Sequence, residues 1–375
     1  MRICLLKPNK GEYSETFIAR QVNLLDPAVV LYDGWYPTLS QPSDKSFLPF
    51  PFNLKIFRGS FRNLFPNIYH TYYTKKFSRF LREQKIDLVL ANYGPMGVSV
   101  MDACKLAKTP LVVHFHGFDA HHHPTLIKYE NAYRKMFKEG VSTICVSVDM
   151  KKKLETLGAK NIYLNPYAID SELFSQANPK SADKVFVFVG RFTPKKNPML
   201  LVKSMAKVIA EVPDAKLIMI GDGTLYTKTK ELTQGLGLEK SIEFWGSKDP
   251  ADVSTALKSA RAFVQHSLTA EDGDMEGTPN TILEASSSAL PVISTFHAGI
   301  KEAVIHEETG FLVNEGDWET MADYMILLAR DPELATSMGL NGRKHIIKNY
   351  SVEGQVNTLK KVFEAAVRNK GRINK

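Results

Sequence analysis

Cysteine is scarce. The chain has three in 375 residues, Cys4, Cys104 and Cys145, scattered and without paired spacing. That excludes a disulfide framework and a cysteine-based zinc cluster, and it points to a reducing compartment. No apolar run approaches the roughly 18–20 residues needed to cross a bilayer. The opening stretch from Met1 to Lys7 has an apolar core too short for a signal peptide and is expected to be a first buried strand. Acidic residues are missing from one region: residues 45–85 carry nine Lys or Arg and a single acid, Glu83. The net charge of the whole chain is +8, so this segment holds the entire imbalance and the remainder sums to neutral. The same segment contains eleven Phe or Tyr.

Apolar residues make up 44% and charged residues 23%, as in a globular enzyme, and the length suits two domains. Short apolar runs alternate with amphipathic stretches almost throughout. In the first half the expected strands lie near 3–6, 29–32, 87–92, 110–116, 143–148 and 162–165. In the second half they lie near 185–189, 216–220, 242–245, 262–266, 292–295 and 311–313. Such alternation predicts an α/β chain with two doubly wound, Rossmann-like parallel sheets facing a cleft. The expected domains are 1–170 and 171–351, with a linker near 170–183 where Ser, Asn, Pro and Lys collect. An amphipathic helix at about 352–375 is expected to pack back on the first domain.

In open α/β sheets ligands bind beyond the carboxyl ends of the strands. Four candidate sites sit at such ends: His116-Gly117, Gly190-Arg191, Gly221-Asp222-Gly223, and the loop that carries Glu276. Arg191 and Lys196 are two cations that can hold a diphosphate without metal. Read alone, they are equally well two solvated loop charges. The stretch from Glu276 to Glu284 places two carboxylates around a predicted helix start. Thr278 is expected to cap that helix and Pro279 to occupy its first turn, leaving the N–H groups of Asn280 and Thr281 for a phosphate. One carboxylate then reaches a sugar and the other a ribose, the layout of a nucleotide-sugar.

Gly190-Arg191-(x)4-Lys196, Gly221-Asp222-Gly223, Glu276-(x)7-Glu284 and the run from Ala298 to Glu302 resemble, in order and spacing, the retaining GT-B glycosyltransferases of the "group 1" (family 4) type. The likeness covers the second half and, more loosely, the first. The run from Ser14 to Ile18, the turn from His114 to Asp119 and the run from Thr269 to Gly277 are similar to those of bacterial exopolysaccharide, capsule and colanic-acid enzymes. The resemblance implies transfer of a sugar from a nucleotide-diphosphate donor to a glycan or lipid-linked acceptor, with retention, without metal or other cofactor, in the cytoplasm or at the inner face of the cell membrane. It implies that Arg191 and Lys196 bind the diphosphate, with Gly221, Asn280 and Thr281 also on the donor. Glu276 would bond the sugar, Glu284 the ribose, and His116 would approach the sugar from the first domain. Two positions depart from the family pattern: Asn197 and Pro279 stand where Gly is common.

Rival readings remain open at this point. Asp272-Gly273-Asp274 is a D-x-D, a metal-nucleotide motif in another fold, but two cations already serve the diphosphate and an acidic loop rim is preferred. His114, His116, His121, His122 and His123 invite a metal, yet neighbours in sequence rarely converge on one ion, and His114 is expected to face away from His116. Gly11, Ser14 and Glu15 either meet the acceptor or a phosphate, or cap the first helix. Residues 73–85 are expected to be a helix packed on the sheet, while 47–65 suit an anionic membrane surface; no nucleic-acid motif accompanies the charge. An epimerase, a phosphorylase with a lysine-bound pyridoxal cofactor, and a catalytically silent binding module are the alternatives to sugar transfer.

Overall fold

The computed structural model describes residues 1–11 and 15–373 and divides into two compact units. The first comprises Met1–Asn165 and the chain from Val356 onward; the second is Pro166–Gln355.

The first unit has eight strands: β1 Ile3–Leu6, β2 Val29–Tyr32, β3 Leu39–Gln41, β4 Lys45–Ser46, β5 Leu88–Asn92, β6 Leu111–His114, β7 Ser142–Cys145 and β8 Ile162–Leu164. Their order is β4-β3-β2-β1-β5-β6-β7-β8, with β3 and β4 antiparallel and the rest parallel. The antiparallel edge was not expected, because its residues are short, polar and half-exposed. The helices are α1 Thr16–Leu25, α2 Lys55–Leu64, α3 Pro66–Glu83, α4 Gly94–Ala107, α5 Phe118–His121, α6 His123–Lys138 and α7 Val148–Thr156. β1 reads Ile-Cys-Leu-Leu and is buried along its whole length. A strand covered on both faces needs such continuous apolar character.

The second unit has six parallel strands: β9 Val185–Val189, β10 Lys216–Ile220, β11 Ile242–Gly246, β12 Ala262–Val264, β13 Val292–Thr295 and β14 Gly310–Val313. They are ordered β11-β10-β9-β12-β13-β14. Its helices are α8 Pro198–Glu211, α9 Tyr226–Gly235, α10 Pro250–Lys258, α11 Asn280–Ser287, α12 Ile300–Ala303, α13 Trp318–Arg330 and α14 Pro332–Asn349. The core gathers Phe186 and Phe188 of β9, Leu201 and Met205 of α8, and Met321 and Met325 of α13.

A last helix, α15 Val352–Ile373, belongs to the first unit from Val356 onward. Leu359, Val362, Phe363 and Ala366 share a core with Ile3, Leu5, Leu88 and Leu90. Their spacing puts all four on one helical face.

The expected linker at 170–183 is instead part of the second unit. Phe174 and Ala177 are buried. The Ala177 N–H donates to the Ser288 carbonyl at 2.8 Å, and the buried Arg261 donates to the carbonyls of Pro179 and Ala182 at 2.8 and 2.6 Å. Its polar composition looked like solvent exposure, but an arginine satisfies its backbone.

Candidate active site

In the second sheet the strand order reverses between β9 and β12. Chains leaving the carboxyl ends of those two strands part there and open a crevice, the usual ligand position in such a sheet. β9 leads into Gly190, Arg191 and a 3-10 turn, Pro194–Lys196; β12 leads into Gln265, His266 and the loop to Glu276. Gly221 follows β10. A Cβ there would lie 2.0 Å from the Gly190 carbonyl oxygen, and its φ is +134°, so only glycine lets these two strand ends approach.

Lys196 crosses this point. Its Nζ stands 3.2 Å from Glu276 Oε1 and donates to Gln265 Oε1 at 3.2 Å. Both side chains of the ion pair are about nine-tenths buried. Desolvation lowers the Lys196 pKa, and Glu276 opposes that effect. Burial pushes Glu276 up, but Lys196, Lys195 and His297 outweigh it and hold the carboxyl below its ordinary value. The contact is a charge pair rather than an aligned hydrogen bond, because Glu276 Oε1 still lacks a hydrogen-bond donor among the described residues. Two further buried polar atoms in these loops have no partner among the described residues: Thr193 Oγ1 after β9, and Nδ1 of His266 after β12. His266 Nε2 accepts the Gly316 N–H at 2.8 Å, so Nδ1 carries the proton. Buried polar groups are rarely left so, and all three of these belong to the loops that leave β9 and β12. Arg191 is exposed, and its guanidinium has no ion-pair partner among the described residues.

The backbone of Glu276 is also held. Its N–H donates to His297 Nε2 at 3.1 Å, and His297 Nδ1 donates to Glu315 Oε1 at 2.6 Å. Glu315 further accepts the Thr269 N–H at 2.8 Å, which closes the loop around Glu276. Lys195 pairs with Asp274 at 3.0 Å and donates to the Met275 carbonyl at 3.3 Å. Thus Asp274 of the D-x-D already has a cation, and Asp272 Oδ1 accepts the Asp274 N–H at 3.0 Å. Lys195, Gln265, His297 and Glu315 were not singled out in the sequence. A polar residue ending a buried strand was the one available signal, and it applies only to Gln265.

α11 begins at Asn280, and its cap is Pro279, with φ −64° and ψ 118°. Thr278 therefore precedes the cap rather than forming it, and Pro279 lies outside the first turn. An extended ψ at Pro279 places the turn one residue later than expected. Proline offers no capping oxygen, so the N–H groups of Asn280 and Thr281 have no acceptor among the described residues. The Thr281 hydroxyl donates to Gln265 Oε1 at 3.2 Å, which ties the helix end to the Lys196 cluster. Glu284 lies one turn further, on the side of Asn280. Asn197, where the family pattern has glycine, is left-handed with φ +33°. Asparagine is among the few other residues that accept that conformation.

In the first unit His116 is buried behind β6. Its Nε2 donates to Asn92 Oδ1 at 2.9 Å, and its N–H donates to Asp119 Oδ1 at 2.9 Å. Desolvation, with neighbouring His114, holds its pKa well below the usual imidazole value, so the ring is neutral. His114 does not face away: the two rings lie 4.2 Å apart. Residues two apart share one face of a strand, so the opposite expectation was wrong. Among the described residues no three His, Cys, Asp or Glu side chains gather as a metal site. Gly11 is exposed with open space around it. Glu15 accepts from Asn9 Nδ2 at 3.3 Å and from the Tyr93 hydroxyl at 3.2 Å, and its side chain does not cap α1. Ser14 lies outside the described residues.

The sequence model described as Glycosyl transferases group 1 matches residues 170–345, and that of Glycosyltransferase Family 4 matches residues 27–173. The chain belongs to the group 1 glycosyltransferases. It is 26% identical to a protein of Salmonella typhimurium named for colanic acid biosynthesis, over 71% of this chain and 67% of that one. Its Escherichia coli K12 counterpart is 28% identical over 64% of this chain, which spans 60% of that relative's length. An Escherichia coli UDP-Gal:alpha-D-GlcNAc-diphosphoundecaprenol alpha-1,3-galactosyltransferase is 28% identical over 78% of this chain and 79% of its own. Among solved structures, Anabaena HepE in complex with UDP superposes with a TM-score of 0.76 at 18% identity, covering 97% of this chain and 100% of that one. The fold is therefore GT-B, two parallel-sheet α/β domains.

Proposed function

We propose that this glycosyltransferase moves a sugar from a nucleoside-diphosphate donor to a hydroxyl of a glycan or lipid-linked acceptor, in surface polysaccharide biosynthesis at the cytoplasmic side of the membrane. The observation that carries this reading is the buried Lys196–Glu276 pair, whose Oε1 lacks a donor, beside a helix start with two unused N–H groups. Lys196, Arg191 and the N–H groups of Asn280 and Thr281 suit a diphosphate; each charge-assisted bond contributes roughly 1.5–3 kcal/mol. Glu276 suits a sugar hydroxyl and Glu284 the ribose. His116, in the first unit, is neutral and suits a hydrogen bond to a hydroxyl. The relatives named for colanic acid biosynthesis, and the galactosyltransferase whose named acceptor is a diphosphoundecaprenol, support the polysaccharide setting.

Chemically, the bond from the anomeric carbon to the diphosphate oxygen breaks as the acceptor oxygen bonds to that carbon. The acceptor attacks on the face the diphosphate leaves, and the leaving oxygen takes the acceptor proton. Configuration is retained, and no metal is required, because cations and amides already neutralise the departing charge. The test is to incubate UDP-, GDP- and ADP-sugars with polyprenyl-diphosphate sugar acceptors, with and without chelator. Acceptor-dependent release of nucleoside diphosphate, unaffected by chelator, is expected. Release with no acceptor product, or loss on chelation, contradicts the reading.

A further inference from the structure

Asn92 ends β5 and is completely buried. A buried amide needs partners at both of its ends, and this one has them. Its Nδ2 donates to the Leu6 carbonyl at 3.1 Å, and its Oδ1 stands 2.9 Å from His116 Nε2. A backbone carbonyl only accepts, so Nδ2 faces Leu6 and the amide can lie only one way round. Oδ1 then faces His116, and it too only accepts. The proton of the neutral His116 ring therefore sits on Nε2, and Nδ1 keeps its lone pair. Strand register makes the arrangement: Leu6 of β1 lies opposite Ala91, and Asn92 lies opposite His114 of β6.

The other neighbours hold the ring without giving it a proton. Phe17 of α1 and Tyr93 pack on it with centroids 4.6 and 4.8 Å away, and His114 lies at 4.2 Å. Burial pushes His114 down to about 3, so that ring is neutral as well, and its Nδ1 meets Gln21 Nε2 at 3.2 Å. Asp119 grips backbone rather than imidazole: it accepts the N–H groups of His116 and Gly94 at 2.9 and 2.7 Å. Burial pushes Asp119 up to about 6 against the pull of those bonds. Glu15 accepts from the Tyr93 hydroxyl at 3.2 Å, and Lys7, at the end of β1, donates to the Lys10 carbonyl at 2.6 Å.

We infer that Asn92 is a positioning residue: it fixes the His116 tautomer so that Nδ1 is an acceptor, and the substrate group that His116 meets is a hydroxyl rather than a phosphate or carboxylate oxygen. A phosphate oxygen at Nδ1 would set lone pair against lone pair, with neither satisfied. A ring held neutral in this way orients a hydroxyl and does not carry its proton away. The substrate half of the inference rests on the sugar-transfer reading; the tautomer rests on the amide geometry alone.

Long-range proton–nitrogen NMR of the full chain, labelled with nitrogen-15 in its histidine rings, reads the tautomer without a ligand. A His116→Gln variant assigns the signal. A neutral ring protonated at Nε2 is expected throughout about pH 6 to 8. A proton on Nδ1, or a ring that titrates in that range, overturns the inference. Asn92→Asp keeps an acceptor oxygen but lets the side chain share one more proton with the ring. Whether that proton rests on the carboxyl or the imidazole, a hydrogen then occupies Nδ1. The ratio of variant to native kcat/KM is measured with the UDP-, GDP- or ADP-sugar and polyprenyl-diphosphate sugar that the native chain turns over; Asp119 titrates in both proteins and cancels. That ratio is expected to level off at high pH and to fall about tenfold for each unit below the pKa of the pair. A ratio that stays flat from about pH 5 to 9 leaves Asn92 a packing role only and overturns the inference. If Asn92→Asp does not fold, the spectrum of the native chain decides. If the native chain turns over none of these substrates, the sugar-transfer reading fails while the spectrum still decides the tautomer.

Discussion

Lys196 Nζ and Glu276 Oε1 lie 3.2 Å apart inside the second unit, each side chain about nine-tenths buried. Each is far from the other in sequence, and the reversal of strand order between β9 and β12 brings them together. A buried pair of this kind is weak evidence for stability, since desolvation offsets its attraction. It is better explained as a pre-set charge pattern that a substrate completes.

Glu276→Gln keeps the shape of the side chain and removes its charge. We expect kcat to fall about a hundredfold or more, because a group acting on the sugar is felt mainly in the transition state. Donor affinity by calorimetry is expected to change less than about tenfold. Near-native turnover removes Glu276 from the mechanism.

His297→Ala deprives the Glu276 N–H of its acceptor and Glu315 of one of its donors. A buried unsatisfied donor costs about 1–3 kcal/mol, so the melting temperature of the variant should drop. Because His297 acts through Glu276, kcat is expected to fall while the donor dissociation constant holds. An equal loss in both would place His297 on the donor itself.

Stability is expected to decline in mild acid. Burial holds His266 down at about 4, against the partial opposition of Asp317 and Glu315, whereas an unfolded imidazole titrates near 6.5. Between those values the unfolded chain binds the extra proton. The contribution of neutral His266 is thus complete above about 6.5 and is lost as pH falls towards 4. Near pH 5 the loss is about 2 kcal/mol. Chemical denaturation from pH 7 to 5 measures it, and His266→Gln should flatten the slope. An unchanged slope in that variant contradicts the assignment.

Gly221→Ala forces a Cβ to 2.0 Å from a backbone oxygen, at a φ that side chains avoid. A loss of more than about 4 kcal/mol is expected, in the exceptional range for one substitution. Gly11→Ala meets open space and should leave the melting temperature unchanged. Equal melting temperatures for both variants would mean that the Gly190 and Gly221 loops do not approach as described.

The parallel strands were legible because burial on both faces demands continuous apolar runs, as in Val185–Val189. β3 and β4 were not, since their pairing is backbone work by polar residues. Arg191, Lys196 and Glu276 were legible as charged residues in loops beyond predicted strands. The supports of Glu276 were not: His297 and Glu315 pair across separate loops, and nothing local announces that. Lys195 carries no local signal either, because its partner Asp274 comes from a different loop. The helix start was misplaced by one residue because a proline suits a cap as readily as a first turn.

The most direct test is calorimetric titration of UDP, GDP and ADP into the native chain and into the Arg191→Ala, Lys196→Ala double variant. One nucleoside diphosphate is expected to bind the native chain, and the double variant to bind it at least about a hundredfold more weakly, as two lost charge-assisted bonds require. Equal affinity for the two proteins, with the double variant still folded, would contradict the account of how the diphosphate is held.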